Sequence, residues 1–211
     1  MITVIGNLKG GTGKSTVAFN LAVWLKLRAD DIRLFDLDPQ KTLTDVIDIR
    51  EEEGYEPELG VSHDLAELKT LKGQEAEVIV DVGTSDFDAM KAALKLADRI
   101  ITPVPPSQAD IWSTQRFIKI IREERGGASK MPKVLGFINR ADTHRGVRET
   151  DEAEEALSYL KHIERLDTRL YQRTAYRRSF SEGLAVFEMQ PTSKASHEVL
   201  ALSEMLYPEL A

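Results

Sequence analysis

Cysteine is absent from all 211 residues, which removes disulfides, thiolate metal sites, iron–sulfur clusters and cysteine nucleophiles together. Long apolar runs are missing too. None approaches the roughly 20 residues that cross a bilayer, so no transmembrane helix is expected. Positive charge is scarce: 28 Lys and Arg stand against 35 Asp and Glu, a formal net charge of -7. That balance speaks against the whole surface acting as a nucleic-acid binder, because neutralising phosphates takes clustered cations; a local basic patch is compatible with it. The first residues, Ile2-Thr3-Val4-Ile5, read as a strand and lack the basic, apolar and small-residue sectors of a secretory signal, so a cytoplasmic location is expected. There is no internal repeat and no low-complexity tract.

What is present is a hydrophobic fraction of 42% and a charged fraction of 30%, ordinary values for one globular domain of this length, taken as residues 1–211. Short β-branched runs alternate with longer helical patterns, which argues for an α/β fold with a parallel sheet. The expected strands are Ile2 to Gly6, Ile32 to Asp36, Val78 to Val82, Arg99 to Pro103 and Val134 to Asn139. Helices are expected over Thr16 to Leu27, Ala89 to Ala97 and Gln108 to Arg122. Glu51 to Leu59, with Gly54 and Pro57, reads as a surface excursion, and Gly126-Gly127 as a loop. In open α/β sheets ligands bind beyond the carboxyl ends of the strands, so the strand endings are where chemistry should lie.

Lys9-Gly10-Gly11-Thr12-Gly13-Lys14-Ser15-Thr16 stands between the first strand and a helix. Glycines let successive N–H groups turn inward around phosphate oxygens, and the helix N-terminus adds partial positive charge. Lys14 then supplies a mobile cation for the β and γ phosphates, and the Ser15 hydroxyl can ligate magnesium. The strict pattern G-x-x-x-x-G-K-[ST] fails at its first glycine, where Leu8 stands, and an additional lysine, Lys9, appears instead.

This segment resembles the loop K-G-G-x-G-K-[ST]-[ST] of the ParA/MinD family of deviant Walker ATPases. The resemblance implies a three-layer P-loop NTPase fold with a mostly parallel sheet flanked by helices, and ATP with Mg2+ as ligands. It assigns Lys9 the role of reaching across a dimer interface to the partner's ATP. Lys9, Lys14 and Asp38 are then the catalytic candidates. The nucleotide-binding set is Lys9 through Thr16 together with Asn139 and Arg140, which end the fifth expected strand where related sheets recognise adenine.

Asp36-Leu37-Asp38-Pro39-Gln40 ends the second strand and resembles the D-x-D-P-Q signature of the ParA branch. Carboxylates one residue apart on an extended chain point to the same side, and phosphoryl transfer needs acidic groups for magnesium hydration and for orienting the attacking water. The resemblance gives Asp38 the water and Asp36 a supporting role toward magnesium and loop. Glu77-Val78-Ile79-Val80-Asp81 is an apolar strand ending in aspartate, as a Walker B element requires, so Ser15, Asp36 and Asp81 form the expected metal set. Gly83 is the expected switch position, its N–H facing the γ phosphate, with Thr84 to Asp88 as a nucleotide-sensing loop. Many family members carry prolines there, whereas this chain reads Val82-Gly83-Thr84. Thr102 to Ser107, with three prolines, resembles the family's proline-containing segment near nucleotide and dimer face.

Arg165, Arg169, Arg173 and Arg177 recur every fourth residue, with Arg178 adjacent. One continuous helix would make them a basic stripe suited to phosphate backbones. The resemblance instead places a strand or loop before Thr174 and a helix from Ala175 through Glu182, stopped by Gly183. Arg173, Arg177 and Arg178 are accordingly the expected DNA contacts, with Arg145 and Arg148 as neighbours. Thr174 to Glu188 resembles the closing segment of small ParA-type partition proteins without an N-terminal DNA-binding extension.

The leading expectation is thus a nucleoid-associated positioning ATPase. It dimerises on ATP, binds DNA nonspecifically, hydrolyses slowly when stimulated by a small ParB-type adaptor, and segregates a plasmid, a chromosome region or other cargo. A MinD-like membrane-associated regulator is the alternative, but Glu198 to Leu210 carries Glu204 and Glu209 and no Lys or Arg, a poor composition for anionic lipid, so no stable membrane association is expected. An ATP-dependent metabolic ligase would need a substrate pocket for which few residues are left, and iron–sulfur carrier relatives are excluded by the missing cysteines.

Overall fold

The computed structural model describes residues 1–29, 31–144 and 146–210. Strands β1 (Ile2–Ile5), β2 (Ile32–Asp36), β3 (Val61–Ser62), β4 (Glu77–Asp81), β5 (Arg99–Val104), β6 (Lys133–Ala141) and β7 (Glu164–Tyr171) form one sheet in the order β3-β2-β4-β1-β5-β6-β7. Every pairing is parallel. Helices α1 (Lys14–Lys26), α2 (Thr42–Glu52), α3 (Leu65–Thr70), α4 (Phe87–Leu96), α5 (Gln108–Glu124), α6 (Glu149–Ser158), α7 (Thr174–Ser181), α8 (Val186–Met189) and α9 (Lys194–Leu206) cover both faces. The expected three-layer architecture is what the chain adopts.

Strand alternation decides the layering. Ile79 faces a core built with α1, α2 and α9, while Val78 and Val80 face the opposite core with α4 and α5. A central parallel strand is covered on both sides, and all four residues of β1, three aliphatic and Thr3, are buried. Helix α1 is buried all round from Val17 to Leu25, which marks it as a central helix.

The sheet has two strands beyond the five expected. Strand β3 is only two residues long, and β7 reads Glu-Arg-Leu-Asp-Thr-Arg-Leu-Tyr, with its polar side chains mixed in because it is an edge strand. Arg165 and Arg169 therefore stand on a strand, Arg173 caps a helix and Arg177 lies within it, so the fourfold arginine spacing is not one helical stripe. Glu51 and Glu52 finish α2, and the excursion expected from Glu51 begins after them. Helix α7 ends as expected at Gly183, whose φ of +69° no β-carbon would favour and whose substituent would fall 2.7 Å from the Arg50 backbone nitrogen.

Arg50, near the end of α2, is buried and uses its whole guanidinium. It donates to both oxygens of Glu188 at 2.9 Å and to the carbonyls of Glu56, Pro57 and Gly183. Glu188 in turn accepts from the Ala185 amide at 2.7 Å. A buried charge is tolerated because every donor is matched, and the knot ties α2 to the segment that follows α7.

Candidate functional site

Beyond the carboxyl end of β1 the chain turns through Gly6 to Gly13 before α1 begins at Lys14. Gly11 and Gly13 take φ of +71° and +90°, the left-handed region that glycine reaches without cost. Gly13 has a second constraint: a β-carbon there would meet the Asn139 amide nitrogen at 2.3 Å. That nitrogen donates to the Thr12 carbonyl at 2.6 Å, so Asn139 at the end of β6 braces the loop from one side. Asn7 braces it from the other. Its amide donates to the Pro103 carbonyl at 2.9 Å and its oxygen accepts from the Lys9 N–H at 3.1 Å. Asn7 carries no phosphate-binding pattern of its own in the sequence; its bracing role comes from contacts the fold makes with Pro103.

Lys14 is 6% exposed, and its ammonium donates to the Lys9 carbonyl at 3.2 Å, drawn back over the loop. Burial lowers its pKa, and the nearby carboxylates of Asp81 and Asp38 act in the opposite sense. Asp81, paired in register with Asp36 on β2 and Ile5 on β1, is buried, and neither carboxylate oxygen has a hydrogen-bond partner. Burial pushes its pKa up to about 7, the negative charges of Asp36 and Asp38 add to the rise, and the Ser15 hydroxyl and the Lys14 ammonium partly offset it. An uncompensated buried carboxylate is costly on its own and calls for a cation or a donor. Here Lys14 and Ser15 are the neighbours that could share one with it.

Asp36 is occupied in organising the chain. One oxygen accepts from the Asp38 N–H at 3.0 Å; the other accepts the Thr44 N–H at 2.9 Å and the Thr44 hydroxyl at 2.8 Å. It thereby fixes the turn after β2 and the start of α2. Asp38 is left at the open end of the site, accepting from the Gln40 N–H at 3.0 Å. Its carboxylate lies so close to Gly83 that a β-carbon on that glycine would come within 2.3 Å of it. The expected water-holding and switch positions are therefore in contact.

Lys9 carries its ammonium 3.0 Å from an Asp110 oxygen on α5. Asp110 itself is buried and is bonded by the Ser107 hydroxyl that caps the same helix. A spacing of 101 positions hides such a pair from any local pattern, and Asp110 was missed.

A cavity of about 210 Å³ opens beside Gly13 and Thr16, with Asn139, Arg140, Tyr176 and Arg177 at its rim and apolar side chains of α1 and α9 below. Arg140 reaches it from a β-bulge, at φ +59°. Size, apolar floor and position next to the phosphate loop suit a base and sugar. The three arginines expected to face DNA have separate surroundings. Arg173 is two-fold bonded to Glu198 and only 24% exposed; Arg177 stands on the cavity rim; Arg178 is 67% exposed and loosely paired with Glu182 at 3.8 Å. Arg165 and Arg169 are both paired with Glu154. Arg148 precedes α6, and Arg145 lies outside the described residues.

Among the described residues no cluster of three or more His, Cys, Asp or Glu could hold a metal alone. A hydroxyl and a few carboxylates around a phosphate cradle instead match Mg2+, which keeps much of its water and takes phosphate oxygens. Asp81's unpartnered oxygens beside Ser15 fit that group.

Residues 3–198 match the model of the CobQ/CobB/MinD/ParA nucleotide binding domain. The chain is 29% identical over 190 residues to the maintenance of carboxysome distribution protein A of Halothiobacillus neapolitanus, covering 88% of this chain and 86% of that protein. It is 26% identical over 190 residues to protein ParA of Rhizobium radiobacter, covering 86% and 83%. In structure it is similar to the septum site-determining protein MinD of Pyrococcus horikoshii OT3 complexed with Mg-ADP, with a TM-score of 0.73, 18% identity and 97% and 95% of the two chains covered.

Proposed function

Because the chain belongs to the CobQ/CobB/MinD/ParA nucleotide-binding family, we propose that it is a ParA-type positioning ATPase, cycling between an ADP or empty monomer and an ATP-bound dimer. The observation that carries this reading is the convergence of Lys14, Ser15, Asp38 and the unpartnered Asp81 at one phosphate cradle, with a second lysine, Lys9, poised at its mouth.

ATP places its base in the cavity at Asn139 and Arg140 and its phosphates along Lys9 to Thr16. Lys14 exchanges the Lys9 carbonyl for β and γ oxygens, a change that restores a counter-charge to a buried ammonium. Ser15 would hold Mg2+ directly, with Asp81 and Asp36 on its water shell; when bound, the ion neutralises charge developing on the phosphates. Asp38 orients water for attack, and Gly83 reads the γ phosphate through its N–H. Lys9 leaves Asp110 and reaches the phosphates of a second copy.

The exposed arginines of α7, Arg177 and Arg178, serve a nonspecific DNA track, doubled by dimerisation, while Arg173 holds their helix against Glu198. A small adaptor of the ParB type stimulates hydrolysis and ends the cycle. The cargo is a plasmid, a chromosome region or a large protein assembly, the last supported by the carboxysome-distribution relative. The membrane reading is disfavoured because the apolar residues of α9, Val199, Leu202 and Leu206, are already buried in the core and so offer no apolar face to lipid.

The test is a mobility-shift series on unrelated duplexes with ATP, ADP and no nucleotide at several salt concentrations. An ATP-dependent, steeply salt-dependent shift that weakens in Arg178→Glu, which lies off the cavity rim, with ATP affinity retained, is expected. Flotation of the ATP form with anionic liposomes and no DNA shift would replace this reading with the membrane one.

A further inference from the structure

On the face of the sheet away from α7, a groove of about 310 Å³ runs between the outer side of α5 and the turn that leads into β7. Its lining is Gln115, Arg116, Ile118, Lys119, Arg122 and His162. None is acidic, in a chain with a net charge of -7, and this concentration of one sign is what makes a groove attract an opposite charge. Among the described residues, neither Arg116 nor Arg122 has an ion-pair or side-chain hydrogen-bond partner, and Lys119 has only Glu123 at 3.8 Å, with both side chains largely exposed. That pair is weak by geometry. His162 holds φ +66°, a left-handed conformation uncommon for a residue with a side chain. The turn accepts that backbone while placing the imidazole at the mouth of the groove.

We propose that this groove docks an acidic segment of a partner protein. Arg116, Lys119 and Arg122 recur every third residue, so they span about 9 Å of helix. An extended chain carries side chains on one face about every 7 Å, and two or three alternate carboxylates cover that length. Arginine forks take carboxylates in two-point contact, and the buried Ile118 gives the segment an apolar floor. Duplex DNA is the poorer occupant. Helix α6 packs beside α5 and presents Glu149, Asp151, Glu152 and Glu155 to solvent, and a rigid duplex over the groove would lay phosphates against those carboxylates. A narrow peptide avoids them. The groove lies apart from the phosphate loop and from α7, so the inference stands independently of the DNA track.

The experiment uses the full chain and a fluorescein-labelled ten-residue peptide of alternating Glu and Ala, read by anisotropy at low salt, with an alternating Lys and Ala peptide and a labelled 20-base-pair duplex in parallel. The acidic peptide is expected to bind and to lose at least tenfold in affinity in Arg116→Glu/Arg122→Glu, and several-fold in the milder Arg116→Gln/Arg122→Gln, which guards against misfolding. ATP affinity, basal turnover and the ATP-dependent duplex shift stay within twofold. Equal binding of the acidic peptide by wild type and variants, or no binding by wild type, overturns the proposal. Loss of the duplex shift in the variants with the peptide unaffected also overturns it, and assigns the groove to nucleic acid.

Discussion

Replacing Gly83 with alanine should slow hydrolysis on the order of 100-fold while leaving ATP bound. The backbone at Gly83 is not in the left-handed region, so alanine adds no backbone strain there, and the whole effect is one methyl group. That methyl would sit 2.3 Å from the Asp38 carboxylate carbon and one of its oxygens, and 2.6 Å from the other. Ordinary contact needs about 3.5 Å, so the carboxylate must retreat by roughly 1 Å. Asp38 can do so by rotating away from the Gln40 amide it now accepts from. A displacement of that size at a group that orients a reactant costs on the order of 100-fold in rate, or about 2.7 kcal/mol of transition-state stabilisation. Single-turnover ATPase assays with partner-independent basal activity measure the loss, and equilibrium titration with a labelled ATP analogue should show affinity within a few-fold of wild type. Because both changes act on the same carboxylate, Gly83→Ala should add nothing to Asp38→Ala in the double variant. Turnover within threefold of wild type, or additive losses in the double variant, would refute the assignment of Asp38 as the group the switch glycine protects.

Asp38→Ala should retain ATP and accumulate as a dimer, seen by size-exclusion chromatography with ATP; a monomer or unchanged turnover contradicts its role. Lys14→Ala should lose ATP binding by 100-fold or more, because no other side chain of the loop supplies a phosphate-facing cation; affinity within a few-fold of wild type sinks the phosphate-loop assignment. In nucleotide-free, chelated buffer at pH 8, above the raised pKa of Asp81, Asp81→Asn should stabilise the fold by roughly 1–3 kcal/mol by removing a buried charge with no partner, and denaturant midpoints showing no gain would contradict that. Glu188→Gln, which leaves the buried Arg50 without its counter-charge, should destabilise by about 2–4 kcal/mol in urea unfolding, and a change under 0.5 kcal/mol would mean that the carbonyl bonds alone hold the guanidinium.

The parts of this molecule that the sequence made legible are those set by neighbours in the chain. The glycine-lysine loop needs contiguous N–H groups, so it is written contiguously, and central strands buried on both faces announce themselves as apolar runs. Edge strands do not: β7 mixes Arg and Asp with Leu because part of it meets solvent, and its arginine spacing mimicked a helical period while both Arg165 and Arg169 were answering Glu154. Short β3 carries too few residues for any pattern. Within the site, Asp110 and Thr44 act through contacts made only by the fold, and Asp36, expected on the metal side, also accepts from Thr44 and the Asp38 amide. The basic residues at 173, 177 and 178 were correctly placed near a helix, but their burial and pairing depend on Glu198 and the cavity rim, which no local window contains.

Helix α2 is clamped at both ends, by Asp36 on Thr44 and by the Arg50 knot on Glu188 and Gly183. Thr44 and Arg50 stand six positions apart in this helix, so the stretch between the clamps is a stiff bar about 9 Å long. A bar pinned at one end to the acidic strand terminus and at the other to the root of α7 leaves little compliance between the phosphate end of the sheet and the arginine-bearing helix. At Gly183 the close approach of Arg50 leaves no room even for a methyl group. The contact joins the two regions directly, although 133 positions of chain separate Arg50 from Gly183.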